Sequence, residues 1–192
     1  MKLPGTWHRM VVLTMLVALG GIAGESFSAS RHAASHPVVD SKGNLRVPDN
    51  YQTRYESLGA WSIAPKPGAG VAQMHLVYAS PRAIEQFRRL GHFPDGTVLV
   101  KEVWEASTQS MTTGSVSRPS HLKGWFVMVR AQHNHHPESK LWGDGWAWSW
   151  FDAGNRTKTT STDYRKDCKG CHVPAQMTDW IYVGGYPALK SN

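Results

Sequence analysis

The stretch FPDGTVLVKEVWE, residues 93–105, decides how the chain is read. Pro94, Asp95 and Gly96 are turn residues: proline presets φ, aspartate bonds to nearby backbone, and glycine accepts a positive φ. The nine residues that follow alternate with the period of two that marks a strand. One face carries Leu99, Lys101 and Val103, and the other carries Val98, Val100, Glu102 and Trp104. Whichever face is buried takes an ionisable side chain with it, and a buried charge must find a partner or lose its charge.

Working upstream, GVAQMHLVYA over residues 70–79 is a second strand. Gln73, His75 and Val77 lie on one face, and Met74, Leu76 and Tyr78 lie on the other, more apolar face. Between the two strands, Ser80 is expected to cap a helix over residues 82–90, with Pro81 in its first turn and Gly91 ending it. Residues 51–59 read as a short helix. Downstream, the Ser/Thr-rich residues 106–120 read as a long loop, and GWFVMVRA (124–131) and GWAWSWF (145–151) as two further strands. Period two puts Trp146, Trp148 and Trp150 on one face of the last strand. The polar loop between these strands carries His133, His135 and His136, which are read as solvated. From residue 162 the chain turns helical again, with Thr162 or Asp163 as its N-cap. There is no internal repeat.

The N-terminus has a different character. Lys2 and Arg9 precede an apolar run over residues 10–23, and Ser28, Ala29 and Ser30 follow it. This predicts an export signal over residues 1–30, too short and too glycine-rich at its end for a membrane span, and hence a periplasmic or secreted protein. Residues 31–47 read as a flexible leader. The remainder, 48–192, is long enough for one domain with a core of its own. The chain is basic, with a formal net charge of +7. Its Lys and Arg residues are scattered and form no stripe, so together with the export signal they argue against nucleic acid as a partner. Nine tryptophans in 192 residues suggest a core or pocket built from large flat groups.

The chain's two cysteines both lie in Cys168-Lys169-Gly170-Cys171-His172. This is the pattern of c-type haem attachment. Two thiols one helical turn apart add to the two haem vinyl groups, and the adjacent imidazole becomes the proximal ligand of the iron. A redox CxxC, a disulfide and half of a zinc site compete with that reading. A redox motif would want an α/β setting, a zinc site two more ligands at similar spacing, and a disulfide closing so small a loop would stabilise little. Haem function then turns on the sixth position of the iron, since a second strong ligand makes an electron carrier and an open position permits catalysis or gas binding. Met74, Met111, Met128, Met177, His75, His92, His121, His133, His135 and His136 are all candidates, and none is marked out by the sequence.

The β-rich domain, the run from Phe93 to Trp104 and the CxxCH motif near the C-terminus together resemble the cytochrome P-460 family, which includes cytochrome c′-beta. The resemblance runs from about Val47 to the end. Small cytochromes c carry CxxCH near the start of an all-helical domain, and four-helix cytochromes c′ lack strands. The resemblance implies an α+β fold in which an antiparallel β-sheet and packed helices surround one five-coordinate c-type haem, commonly in a homodimer. It also implies a covalent bond from Lys101 to the haem macrocycle and a small nitrogen species at the open iron site, either hydroxylamine for oxidation or nitric oxide for binding. A soluble c-type cytochrome is the expected electron partner, and a six-coordinate electron-transfer cytochrome is the alternative. An acidic group beside the iron is expected in the hydroxylamine oxidisers. Glu102 and Glu105 are near in sequence, but Glu102 points to the opposite strand face from Lys101, and both read as structural or solvated.

Overall fold

The computed structural model describes Met1 and residues 36–133 and 135–190. Apart from Met1, the expected export signal over residues 1–30 lies outside the described residues, as do residues 31–35 of the expected leader. The secondary structure belongs to one unit, Ala34–Asn192. In chain order it comprises α1 (Tyr51–Arg54), β1 (Glu56–Ile63), β2 (Gln73–Ala79), α2 (Ala83–Leu90), β3 (Val98–Met111), β4 (Gly114–Arg130), β5 (Trp142–Gly143), β6 (Trp146–Asp152), α3 (Tyr164–Asp167) and α4 (Lys169–His172). Three 3-10 turns follow, Val173–Thr178, Val183–Gly185 and Pro187–Leu189. The six strands form one antiparallel sheet in the order β1-β2-β3-β4-β6-β5. The architecture is α+β, as the resemblance implied. No helix among the described residues is long and apolar enough to cross a membrane.

Both faces of the sheet are covered, so there are two cores. On the first face, Val77, Leu99, Met128 and Trp148 pack against Ala83 of α2 and against Tyr164, Cys168, Trp180, Ile181 and Leu189 of the C-terminal segment. On the second, Val98, Val100, Val127, Ala147 and Phe151 pack against Leu45, Val47 and Tyr51. The alternation of β3 therefore buries both of its faces. Lys101 goes with the first core and Glu102 with the second, so each face takes the ionisable residue that the sequence assigned to it.

The second core corrects the reading as a flexible leader for the described part of that segment, residues 36–47. Val39 bridges to Leu45, the Val47 amide donates to the Arg156 carbonyl at 2.8 Å, and Leu45 and Val47 are fully buried. A sheet with an apolar second face leaves that face in water unless something covers it, and this short segment supplies two of the side chains that do so. Its own sequence has too few apolar residues to show a period. Leu45→Ala is expected to lower the unfolding free energy by about 2–5 kcal/mol, read from the midpoint of denaturant unfolding. A truly loose leader would leave that midpoint unchanged.

Three further expectations are corrected. The helix expected over 51–59 stops at Arg54, because Tyr55 is already extended and residues 56–63 gain more by pairing with β2. A bulge between Ser57 and Gly59 turns Leu58 into the core. The loop expected over 106–120 is instead the far end of a β3–β4 hairpin, paired from Ala106↔Pro119 to Met111↔Gly114. It buries little on either side, so it carries no apolar alternation that could be read. Finally, Ser80 does not cap α2 with its side chain. Its hydroxyl accepts from the Val98 amide at 3.1 Å, and Arg82 takes the N-cap position in a left-handed conformation (φ 66°). The other end is as expected, with Gly91 left-handed at φ 77°.

Candidate functional site

The strand register builds the floor of the site. Val77↔Lys101, Lys101↔Phe126 and Phe126↔Trp150 make one row across the sheet. Leu99↔Met128 and Met128↔Trp148 extend the row on one side of it. On the other side lies Trp61↔His75 and His75↔Val103. Residues directly opposite in an antiparallel pair share a face, so all of these side chains stand on the same side of the sheet. Above them the C-terminal segment closes a cavity of about 400 Å³, whose walls include Lys101, His75, Cys168, Cys171, His172, Tyr182 and Tyr186.

The attachment segment begins at α3. Asp163 is its N-cap, accepting from the Arg165 amide at 3.0 Å, which settles the choice between Thr162 and Asp163. Asp167 reaches back to the amides of Thr162 (2.6 Å) and Asp163 (3.1 Å). The backbone then breaks at Cys168 and restarts as α4, which holds Cys171 and His172. Cys168 is buried, and burial pushes its thiol up to about 11, while Cys171 is exposed; both are free thiols. Among the described residues no group of three or more His, Cys, Asp or Glu side chains is arranged to hold a metal, so the zinc reading gains no support from the fold.

His172 is oriented by the backbone. Its Nδ1 lies 2.7 Å from the Trp180 carbonyl oxygen. A carbonyl can only accept, so Nδ1 carries the proton and Nε2 keeps the lone pair that a metal requires. Burial lowers the basicity of the ring, with a smaller contribution from the Lys101 charge, although the bond to Trp180 works the other way; the neutral form is the one favoured. Trp148 meets the imidazole edge-on at 5.0 Å.

Sequence reasoning missed the residues that place this carbonyl. Asp179 and Trp180 are both left-handed, at φ 59° and 66°. Aspartate tolerates that conformation and tryptophan does not, so the turn must be held from outside. Arg130 holds it, pairing with Asp179 at 3.2 Å while it also donates to the Phe93 and Gly145 carbonyls. Trp146 adds a bond from Nε1 to the Asp179 carbonyl at 3.0 Å. Only the positive φ values mark this arrangement, and those cannot be read from a sequence.

Lys101 is turned into the cavity with its Nζ 4.4 Å from the centre of the Phe126 ring. Burial lowers its pKa, an effect opposed in part by the two cysteines. Among the described residues no carboxylate pairs with it. A buried amine with that environment tends toward the neutral, nucleophilic form. Glu102 lies on the other face, and Glu105 pairs with Lys123 at the surface at 3.7 Å, so neither acid of β3 reaches the cavity. Of the ten Met and His residues considered as sixth ligands, only His75 and Met128 line it.

The residues brought together fit a c-type haem. The two thiols stand one helical turn apart at the cavity wall, the imidazole has its Nδ1 committed and its Nε2 free, and the remaining surface is mostly apolar and aromatic. Comparison with known proteins points to haem as the cofactor. A family model described as Cytochrome P460 matches residues 48–183. No curated protein matches the chain.

Proposed function

This chain belongs to the cytochrome P460 family and is a haem-binding cytochrome, and from that premise we propose that it is an exported mono-haem protein whose open iron site oxidises hydroxylamine. Cys168 and Cys171 would hold the haem through thioether bonds, His172 would ligate its iron, and Lys101 would bond to the macrocycle. Held there, the haem would supply a redox-active iron for a small nitrogen species, with a soluble c-type cytochrome as the electron acceptor. The observation that carries this reading is the meeting, in one apolar cavity, of a strand-borne lysine with a haem-attachment motif that lies more than sixty residues later in the chain. A lysine whose role was only solubility would gain nothing from burial there.

The protein's own groups have separable tasks. The Trp180 carbonyl keeps the His172 ring in one tautomer and one orientation. Trp148, Phe126 and Leu99 line the cavity with apolar surface that disfavours water, and Lys101 would fix the macrocycle against the sheet. The family resemblance supports a homodimer, and the sequence of residues 1–30 supports a periplasmic location. Nitric oxide binding without turnover is the function expected if Lys101 stays unbonded.

The test is the absorption spectrum of the reduced protein, wild type against Lys101→Arg. A Soret band shifted strongly to the red in the wild type alone, together with a haem-linked peptide containing Lys101, is the expected result. Ordinary c-type spectra in both would remove the hydroxylamine reading. A low-spin spectrum that ignores nitric oxide would instead indicate a six-coordinate electron carrier, with Met128 or His75 as the ligand.

A further inference from the structure

Oxidation of hydroxylamine releases protons with its electrons, so a proton acceptor is needed beside the iron. Among the described residues, the cavity does not offer the free acid that the family resemblance leads one to expect. Asp167 is the one carboxylate among its described lining residues, and the amides of Thr162 and Asp163 bind its Oδ2 at the start of α3, which lowers its pKa and makes it a weaker proton acceptor. Lys101 and His172 are committed to the haem, and the Tyr182 hydroxyl donates to the Cys171 carbonyl at 2.7 Å. Burial pushes the Tyr186 phenol up to about 12.

We infer that His75, oriented by Gln73, is the proton acceptor of the open iron site. Val77 is the residue directly opposite Lys101, and His75 stands two residues from Val77 on the same face, which makes it the diagonal neighbour of Lys101. Such neighbours lie about 7–8 Å apart, so a macrocycle bonded to Lys101 comes within reach of the imidazole. The His75 Nε2 lies 3.3 Å from Gln73 Oε1. That oxygen can only accept, so Nε2 carries the proton and Nδ1 holds the lone pair that takes another. Gln73 and His75 are i and i+2 on one strand face, both on the cavity wall, so the orienting group and the acceptor are set by one stretch of backbone. The ring is half-buried, and burial followed by the Lys101 charge pulls its pKa down to about 4, so it is neutral at working pH. Bonding of Lys101 to the haem removes that charge and makes the imidazole a better base. During turnover an N–H or O–H bond of the substrate breaks, the proton passes to Nδ1 and then to solvent, and the electrons go to the oxidised partner cytochrome.

The role rests on the open iron site proposed above, and a ligand other than hydroxylamine tests it separately. Hydrogen cyanide must lose its proton as it binds ferric haem: the C–H bond breaks, Nδ1 gains the proton, and cyanide takes the iron position. Carbon monoxide binds ferrous haem with no proton to lose. Association of both is measured by stopped flow on wild type, His75→Leu and His75→Gln holoprotein. The expected result is a cyanide rate lowered about 100-fold in both variants, with carbon monoxide association and the Lys101-dependent band unchanged. Equal cyanide rates in all three proteins overturn the inference, and so does a parallel fall for both ligands. A wild type that is low-spin through His75 and becomes high-spin in the variants also overturns it, by making His75 a ligand. Should the wild type fail to turn over hydroxylamine while its cyanide rate still depends on His75, the hydroxylamine reading falls and the acceptor stands.

Discussion

On a Lys101→Arg background, Cys168→Ala combined with Cys171→Ala yields a folded protein whose intact mass includes no haem. Each thioether bond needs its own thiol at a vinyl group, and there is no other cysteine to replace either one. The loss is therefore all-or-none and survives any change of buffer or haem supply. Folding is a separate matter. Cys171 is exposed, and Cys168 packs in the first core as a small apolar side chain, so the two truncations together cost on the order of 1–2 kcal/mol. The single variants are expected to retain haem through one thioether. Making the double substitution in both the Lys101 and the Lys101→Arg backgrounds separates thioether attachment from any bond to the lysine. Covalent haem in the double variant on the Lys101→Arg background would defeat the assignment of the CxxCH motif.

The second large effect lies on the opposite face of the sheet. Glu102 is 1% exposed, and its carboxylate is the common acceptor of a buried network. Oε1 receives the Tyr51 hydroxyl and Gln52 Nε2, the latter at 2.7 Å, and Oε2 receives Trp104 Nε1 at 2.7 Å. Tyr51 in turn accepts from Trp125 Nε1 at 2.7 Å, and burial together with Glu102 holds its phenol well above the ordinary range. Glu102→Leu leaves these donors facing an apolar group, and the expected loss is on the order of 3–5 kcal/mol, read from the midpoint of guanidinium unfolding. Glu102→Gln keeps one acceptor but turns an amide N–H₂ toward donors, so it should lie between wild type and leucine. Both variants should keep the wild-type haem spectrum, because β3 puts Lys101 and Glu102 on opposite sides. A Glu102→Gln protein of normal stability that has lost turnover would instead make this glutamate the missing acid.

The two networks also show where sequence reading stops. Residues 97–105 showed that Lys101 and Glu102 part company across the strand, since alternation is a property of the backbone alone. Nothing in that stretch showed that both faces would be covered. Coverage depends on Leu45, Val47 and Tyr51, which precede β3 by about fifty residues and have no pattern of their own. His75 was one of ten equivalent candidates until the pairing of β2 with β3 put it diagonal to Lys101. The more apolar face of β2, with Met74, Leu76 and Tyr78, does not line the cavity; the face with Gln73, His75 and Val77 does.

The sequence by itself determined what local geometry and covalent chemistry dictate: a turn at Pro94 to Gly96, strands of period two, a helix ended by Gly91, and two thiols and an imidazole at haem-binding spacing. Tertiary structure decided which of those groups meet. The left-handed turn that aims the Trp180 carbonyl at His172, the burial of Lys101 beside the attachment motif, and the choice of His75 all depend on strand register and on segments packing across the sheet. Such contacts join residues tens of positions apart, and their energy comes from covering an apolar surface that no single segment contains.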